Sequence, residues 1–187
     1  MPLQLTLAQA LAFAAFIALA LAIVVFFRRA SRLVAETRNA ERFRTATSDL
    51  IGRIDATLDT ATARIDDVRR HRLQANAIAD DLSATSEALA GYADDARGLA
   101  GPGEAALIRD ELLAELERLE RAIRMVEHGC AILMAARSEF REPEAQTSIK
   151  RGHLGILHSR EAIERLAARA AEVGAIQRGR LFARRRA

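Results

Sequence analysis

Apolar and polar residues alternate along this chain with the period of an α-helix almost throughout. The exception is an unbroken apolar stretch from Ala10 to Phe27. After Arg28 the apolar positions recur every three, four or seven residues, which indicates amphipathic helices. The pattern predicts an all-α protein in four parts: an N-terminal transmembrane helix over 1–27, a coiled-coil stalk over 28–64, an antiparallel three-helix bundle over 65–177 and an Arg-rich tail over 178–187.

The apolar stretch is long enough for a membrane anchor, because about 20 apolar residues cross a hydrocarbon core. A cleaved signal peptide would need a basic segment first, and no Lys or Arg precedes Ala10. Arg28, Arg29 and Arg32 follow the stretch and would lie at the membrane interface. Since basic residues stay on the cytoplasmic side, the sequence predicts a single-pass protein of the cytoplasmic (inner) membrane, with its N terminus outside and its C-terminal domain in the cytoplasm.

Two sets of residues predict a homo-oligomer. Alanines recur at every fourth position of the apolar stretch and form a ridge that a second helix can approach closely. In the stalk, the apolar side has no partner within its own chain if the bundle begins at residue 65, and such a helix is not stable alone. The stalk therefore pairs with a second copy or with a partner protein. The residues concerned are Ala10, Ala14, Ala18 and Ala22 in the stretch, and Phe43, Leu50, Ile54 and Leu58 in the stalk.

The bundle itself is predicted from the helical stripes and from two turns. The first helix runs without a break to about Leu99, where the sequence GLAGPG ends it. A second helix follows over 104–140, and Pro143 separates it from a third that begins between residues 144 and 149. Folding the last two helices back on each other pairs Val126 with Ile163.

Charge is distributed unevenly along the chain, although the formal net charge is only +3. Residues 28–44 carry +4 and residues 178–187 carry +5, whereas residues 45–177 carry −6. An acidic body argues against a protein that coats nucleic acid, while each basic end suits an anionic partner. Lys150 is the only lysine among 28 basic residues; this preference for Arg is typical of a bacterial genome rich in G and C.

Few residues carry the marks of catalysis or of metal binding. Cys130 lies on the inward stripe of the second helix, where we expect a small buried side chain. His153 and His158 are not spaced to share one helical face. Gly152 and Gly155 are expected to allow close packing beside the last turn. The sequence therefore predicts no enzyme, no cofactor and no metal site.

The tail is the strongest candidate for binding an anionic partner. Its clustered Arg residues suit nucleic acid or anionic lipid, although the acidic body does not favour nucleic acid. We expect a membrane-anchored helical scaffold or adaptor that presents its bundle to an unknown protein partner. The alternative is a membrane tether that acts through the tail residues Arg178, Arg180, Arg184, Arg185 and Arg186.

Overall fold

Four α-helices and one short 3₁₀ helix make up the described part of the chain. The computed structural model describes residues 2–101, 103–135 and 141–173, with the side chains of 2–11, 13, 14 and 33 left out. No strand occurs among these residues, so the predicted all-α class is confirmed. The helices are α1 (Pro2–Arg69), the 3₁₀ helix (Ala75–Ile78), α2 (Ala79–Arg97), α3 (Glu104–Ala135) and α4 (Glu142–Glu172).

The chain divides into two compact units, residues 1–39 and residues 40–187, and α1 contributes to both. In the first unit, the described apolar side chains from Phe16 to Phe27 are exposed. Within the part of the chain that the structure describes, no helical segment is both long and apolar enough to cross a membrane.

This finding contradicts the predicted single-pass membrane location, and we correct that prediction. The run of residues from Ala15 to Phe27 is apolar, and its side chains are exposed. Arg28, Arg29 and Arg32 follow it and are exposed.

The second unit is an antiparallel four-helix bundle, in which residues 40–69 of α1 form the first helix. Arg53 contacts Asp95 at 2.8 Å, and Arg64 contacts Asp81 at 3.3 Å. Residue numbers therefore rise along α1 as they fall along α2, so the two helices are antiparallel. The predicted three-helix bundle on a separate stalk is wrong, because the chain reverses after Arg69 and the stalk residues Phe43, Leu50, Ile54 and Leu58 are buried within their own chain.

The reversal begins at His71, which has a positive φ of 56°. The N–H of His71 donates to the carbonyl of Val68 (3.0 Å), and the N–H of Arg72 donates to the carbonyl of Asp67 (2.8 Å). These two hydrogen bonds, together with the left-handed backbone of His71, form a Schellman motif, which satisfies the last carbonyls of a helix and ends it. Glycine usually occupies that position. Because histidine occupies it here, the sequence contains no glycine that would have predicted the end of α1.

The turn between α2 and α3 lies where GLAGPG predicts it, since α2 ends at Arg97 and α3 begins at Glu104. The start of α4 differs from the prediction. Pro143 lies in the first turn of α4 rather than before it, where its missing N–H costs no helical hydrogen bond. Helix α4 therefore begins earlier than expected.

This early start moves the contact between α3 and α4 away from the predicted register. Gly152 lies against Ala122 and Val126, and Gly129 lies against Ile149. A Cβ added at Gly152 would come within 2.6 Å of the Ala122 carbonyl oxygen. The expected close packing at Gly152 is confirmed, but its partner residues are not those that the stripes predict.

Candidate functional site

An open groove of about 590 Å³ runs between α1 and α4 in the second unit. Its walls combine large apolar side chains from α1 with small ones from α4, and charged side chains stand along its rim. We call it the α1–α4 groove. It is lined by Arg44, Thr45, Ser48, Asp49, Ile51, Gly52, Ile54, Asp55 and Leu58 of α1 and by Arg160, Ile163, Glu164, Ala167, Ala170 and Ala171 of α4.

The floor of the α1–α4 groove is apolar and belongs to the core. Ile54 and Leu58 are fully buried, and Ile163 is nearly so. On the α4 side the chain supplies alanine at three lining positions, which leaves space that larger residues would fill. Gly52 on the α1 side is exposed, and a Cβ added there would have no atom within 4 Å. The groove is therefore open at Gly52 to an incoming side chain.

A cluster of charged residues bridges the two walls and is centred on Arg160. Its Nε lies 2.7 Å from an Asp55 carboxylate oxygen, and its Nη1 lies 2.6 Å from an Asp59 carboxylate oxygen. Glu164, one turn further along α4, is 3.7 Å from the same guanidinium. Burial alone would lower the pKa of Arg160, but the hydrogen bond to Asp59 and the charges of Asp55 and Asp59 raise it above its ordinary value. Arg160 therefore stays charged and ties α4 to α1.

The charge on the rim of the groove is net negative. Asp49, Asp55 and Glu164 line the groove and supply three negative charges. The opposing positive charges are Arg160 itself and Arg44. A ligand of the groove would therefore meet an apolar floor and an acidic rim.

Cys130 and His153 are titratable residues buried in the core. Cys130 is buried, and burial followed by the charge of Glu127 raises its pKa to about 11. The thiol is protonated at neutral pH and is a weak nucleophile in that form. His153 is also buried; burial and then Arg69 lower its pKa, while Asp66 acts in the opposite direction. Its Nδ1 has no hydrogen-bond partner among the described residues.

The residues predicted for self-association lie in several places. In the stalk, Phe43, Leu50, Ile54 and Leu58 are buried within their own chain, so the reason for expecting a second copy on this face is removed. In the apolar stretch, Ala18 and Ala22 are exposed, and the side chains of Ala10 and Ala14 lie outside the described residues.

The predicted binding residues of the tail, Arg178, Arg180, Arg184, Arg185 and Arg186, also lie outside the described residues. The groove contains residues that the sequence did not single out, chiefly Arg160 and Gly52. Asp55 and Asp59 are one helical turn apart, and so are Arg160 and Glu164, which is a visible charge pattern. Joining the two pairs needs the reversal at His71, which the sequence does not reveal.

Comparison of the chain with models of protein families, with curated proteins and with solved structures gave no match. The class of protein is therefore defined by the fold and the groove alone. In the described residues, the second unit is an antiparallel four-helix bundle with one open, acidic-rimmed groove between its first and last helices.

Proposed function

We propose that the protein is a scaffold or adaptor without enzymatic activity, which binds a helix of a partner protein in the α1–α4 groove. The observation that supports this proposal is the open apolar floor beside Gly52. Short helical segments bind such grooves by inserting apolar side chains spaced three and four residues apart. The predicted membrane anchoring, contradicted above, is no part of the proposal.

The acidic rim determines what kind of helix fits. Arg160 is already surrounded by Asp55, Asp59 and Glu164, so the rim offers carboxylates rather than a free guanidinium. Complementary charge favours a partner with Lys or Arg beside its apolar face. The expected ligand is an amphipathic helix with Leu-like anchors and basic flanks. The alternative based on the Arg-rich tail concerns residues outside the described ranges, and no observation on the described residues favours it.

Substituting Gly52 with tryptophan tests the proposal, because the indole would occupy the open part of the groove. Gly91 on α2 provides a matched control, since it is also an exposed helical glycine with no atom within 4 Å of an added Cβ. It does not line the groove. Both substitutions replace a poor helix former with a better one, so neither should unfold the bundle.

The probe is a fluorescent amphipathic peptide with leucines on one helical face and lysines on the other, and binding is followed by anisotropy. We expect the wild type and Gly91→Trp to bind it and Gly52→Trp to lose at least about tenfold in affinity, or about 1.4 kcal/mol. Amide resonances of Ala167 and Ala171 should shift on titration of the wild type. Equal binding by all three proteins, or shifts confined to other helices, would contradict the proposal.

A further inference from the structure

A second groove, of about 570 Å³, lies between α3 and α4 and differs from the first in charge. We call it the α3–α4 groove. Small side chains form part of its lining, among them Ala122, Gly155 and Ala162. An added Cβ at Gly155 would lie 3.0 Å from the Ala122 Cβ, so the two helices are close there and the groove is shallow.

Four arginines line this groove: Arg118 and Arg121 from α3, and Arg151 and Arg165 from α4. Among the residues that the structure describes, only two carboxylates, Glu115 and Glu161, line it with them. The lining therefore carries a net charge of about +2, in a body whose overall charge is negative.

The four arginines are not equally engaged within the chain. Arg118 contacts Glu115, and Arg121 lies 3.9 Å from Glu117, at the outer limit of an ion pair. Arg151 and Arg165 form no ion pair with any other residue that the structure describes, and both are exposed. Their guanidinium groups are thus available to an anionic ligand.

We propose that the α3–α4 groove binds an acidic segment of a partner protein. Each guanidinium presents paired N–H donors that match a carboxylate, and the net positive lining attracts such a segment. Nucleic acid is the less suitable ligand, because its closely and regularly spaced phosphates would also lie against Glu115 and Glu161. A peptide with carboxylates every three or four residues can meet the arginines and avoid those two side chains.

This inference does not depend on the α1–α4 groove, because the two sites share no lining residue. If both hold, the bundle presents two surfaces of opposite charge and joins a basic helix to an acidic segment. That arrangement would make it an adaptor for two partners.

Charge reversal at Arg151 and at Arg165, made singly in the full chain, tests the inference. Lys150→Glu is the matched control, since it makes the same change of charge at the neighbouring residue, which does not line the groove. The probe is a fluorescent peptide of Ala and Leu with Glu at every third or fourth position. We expect Arg151→Glu and Arg165→Glu each to weaken binding by about fivefold, and Lys150→Glu to change it by less than about twofold.

Binding should also weaken as salt is raised, because the contacts are exposed and ionic. The Gly52→Trp variant should bind this peptide as the wild type does. This comparison distinguishes a failure of the proposal for the α3–α4 groove from a failure of the proposal for the α1–α4 groove. Three results would overturn the inference: no binding by the wild type, equal losses in all three charge variants, or a mixed-sequence DNA duplex that binds more tightly than the peptide through the same two arginines. Unchanged far-UV circular dichroism shows that the variants remain folded.

Discussion

Replacing Gly152 with alanine adds one methyl group at a close contact between α3 and α4. The new Cβ would lie 2.6 Å from the Ala122 carbonyl oxygen, 2.6 Å from a Val126 methyl group and 3.0 Å from the Val126 nitrogen. Two of these three atoms belong to the backbone of α3, which cannot rotate away as a side chain does. The helices must therefore separate to admit the methyl group.

Two opposing terms determine the magnitude of the effect. Overpacking a core by a methyl group costs about 1–3 kcal/mol, and contact with backbone atoms on the facing helix places Gly152 at the upper end. The higher helix propensity of alanine returns about 1 kcal/mol. We expect Gly152→Ala to lower the free energy of unfolding by about 2 kcal/mol.

Gly91→Ala measures the propensity term alone, because an added Cβ at Gly91 has no atom within 4 Å. It should raise the free energy of unfolding by about 1 kcal/mol. Both variants are compared with the wild type by urea unfolding, followed by far-UV circular dichroism, with the slope of the transition checked for constancy. If Gly152→Ala proves as stabilising as Gly91→Ala, the contact between α3 and α4 described above is incorrect.

Two further predictions concern buried polar groups. Thr47 is fully buried, and its hydroxyl has no hydrogen-bond partner among the described residues; Thr47→Val should therefore raise the free energy of unfolding by about 1 kcal/mol in the same assay, and a loss of stability would contradict this. The lowered pKa of His153 means that the unfolded chain binds a proton more readily than the folded chain once the pH falls below the ordinary value of 6.5. The stabilisation contributed by the neutral imidazole is complete above pH 6.5, and the free energy of unfolding should decrease below that pH by at most about 1.4 kcal/mol per pH unit. In His153→Leu this part of the pH dependence should disappear. An unchanged slope of the free energy of unfolding against pH would refute the assignment.

The sequence was most informative where local chemistry decides the structure. The turn between α2 and α3 lies at the glycine-rich stretch that predicts it, and the helical period alone places Cys130 on a buried face. At the other two turns the local signals misled. The left-handed His71 ends α1 without a glycine, and Pro143 lies in the first turn of α4 rather than preceding it.

Those two positions explain why the number of helices and their register were wrong. Without the reversal after Arg69, the apolar side of residues 43–58 has no partner in the chain, and a second copy becomes the natural explanation. A stripe of apolar residues specifies which face of a helix is buried, but it does not specify what covers that face. For the same reason the ion pairs of Arg160 could not be predicted, because its partners Asp55 and Asp59 lie on a different helix of the bundle.

Small residues on α4 have different consequences at Gly152 and at the alanines that line the α1–α4 groove. Toward α3, Gly152 meets backbone, and the helices close until they touch. Toward α1, Ala167 and Ala171 face a helix that is joined to α4 through the long side chain of Arg160. There the alanines line the α1–α4 groove together with Arg160, which contacts Asp55 and Asp59 of α1. Small residues of α4 thus allow close contact at Gly152 and line a groove at Ala167 and Ala171, which is why a binding surface could not be recognised from composition alone.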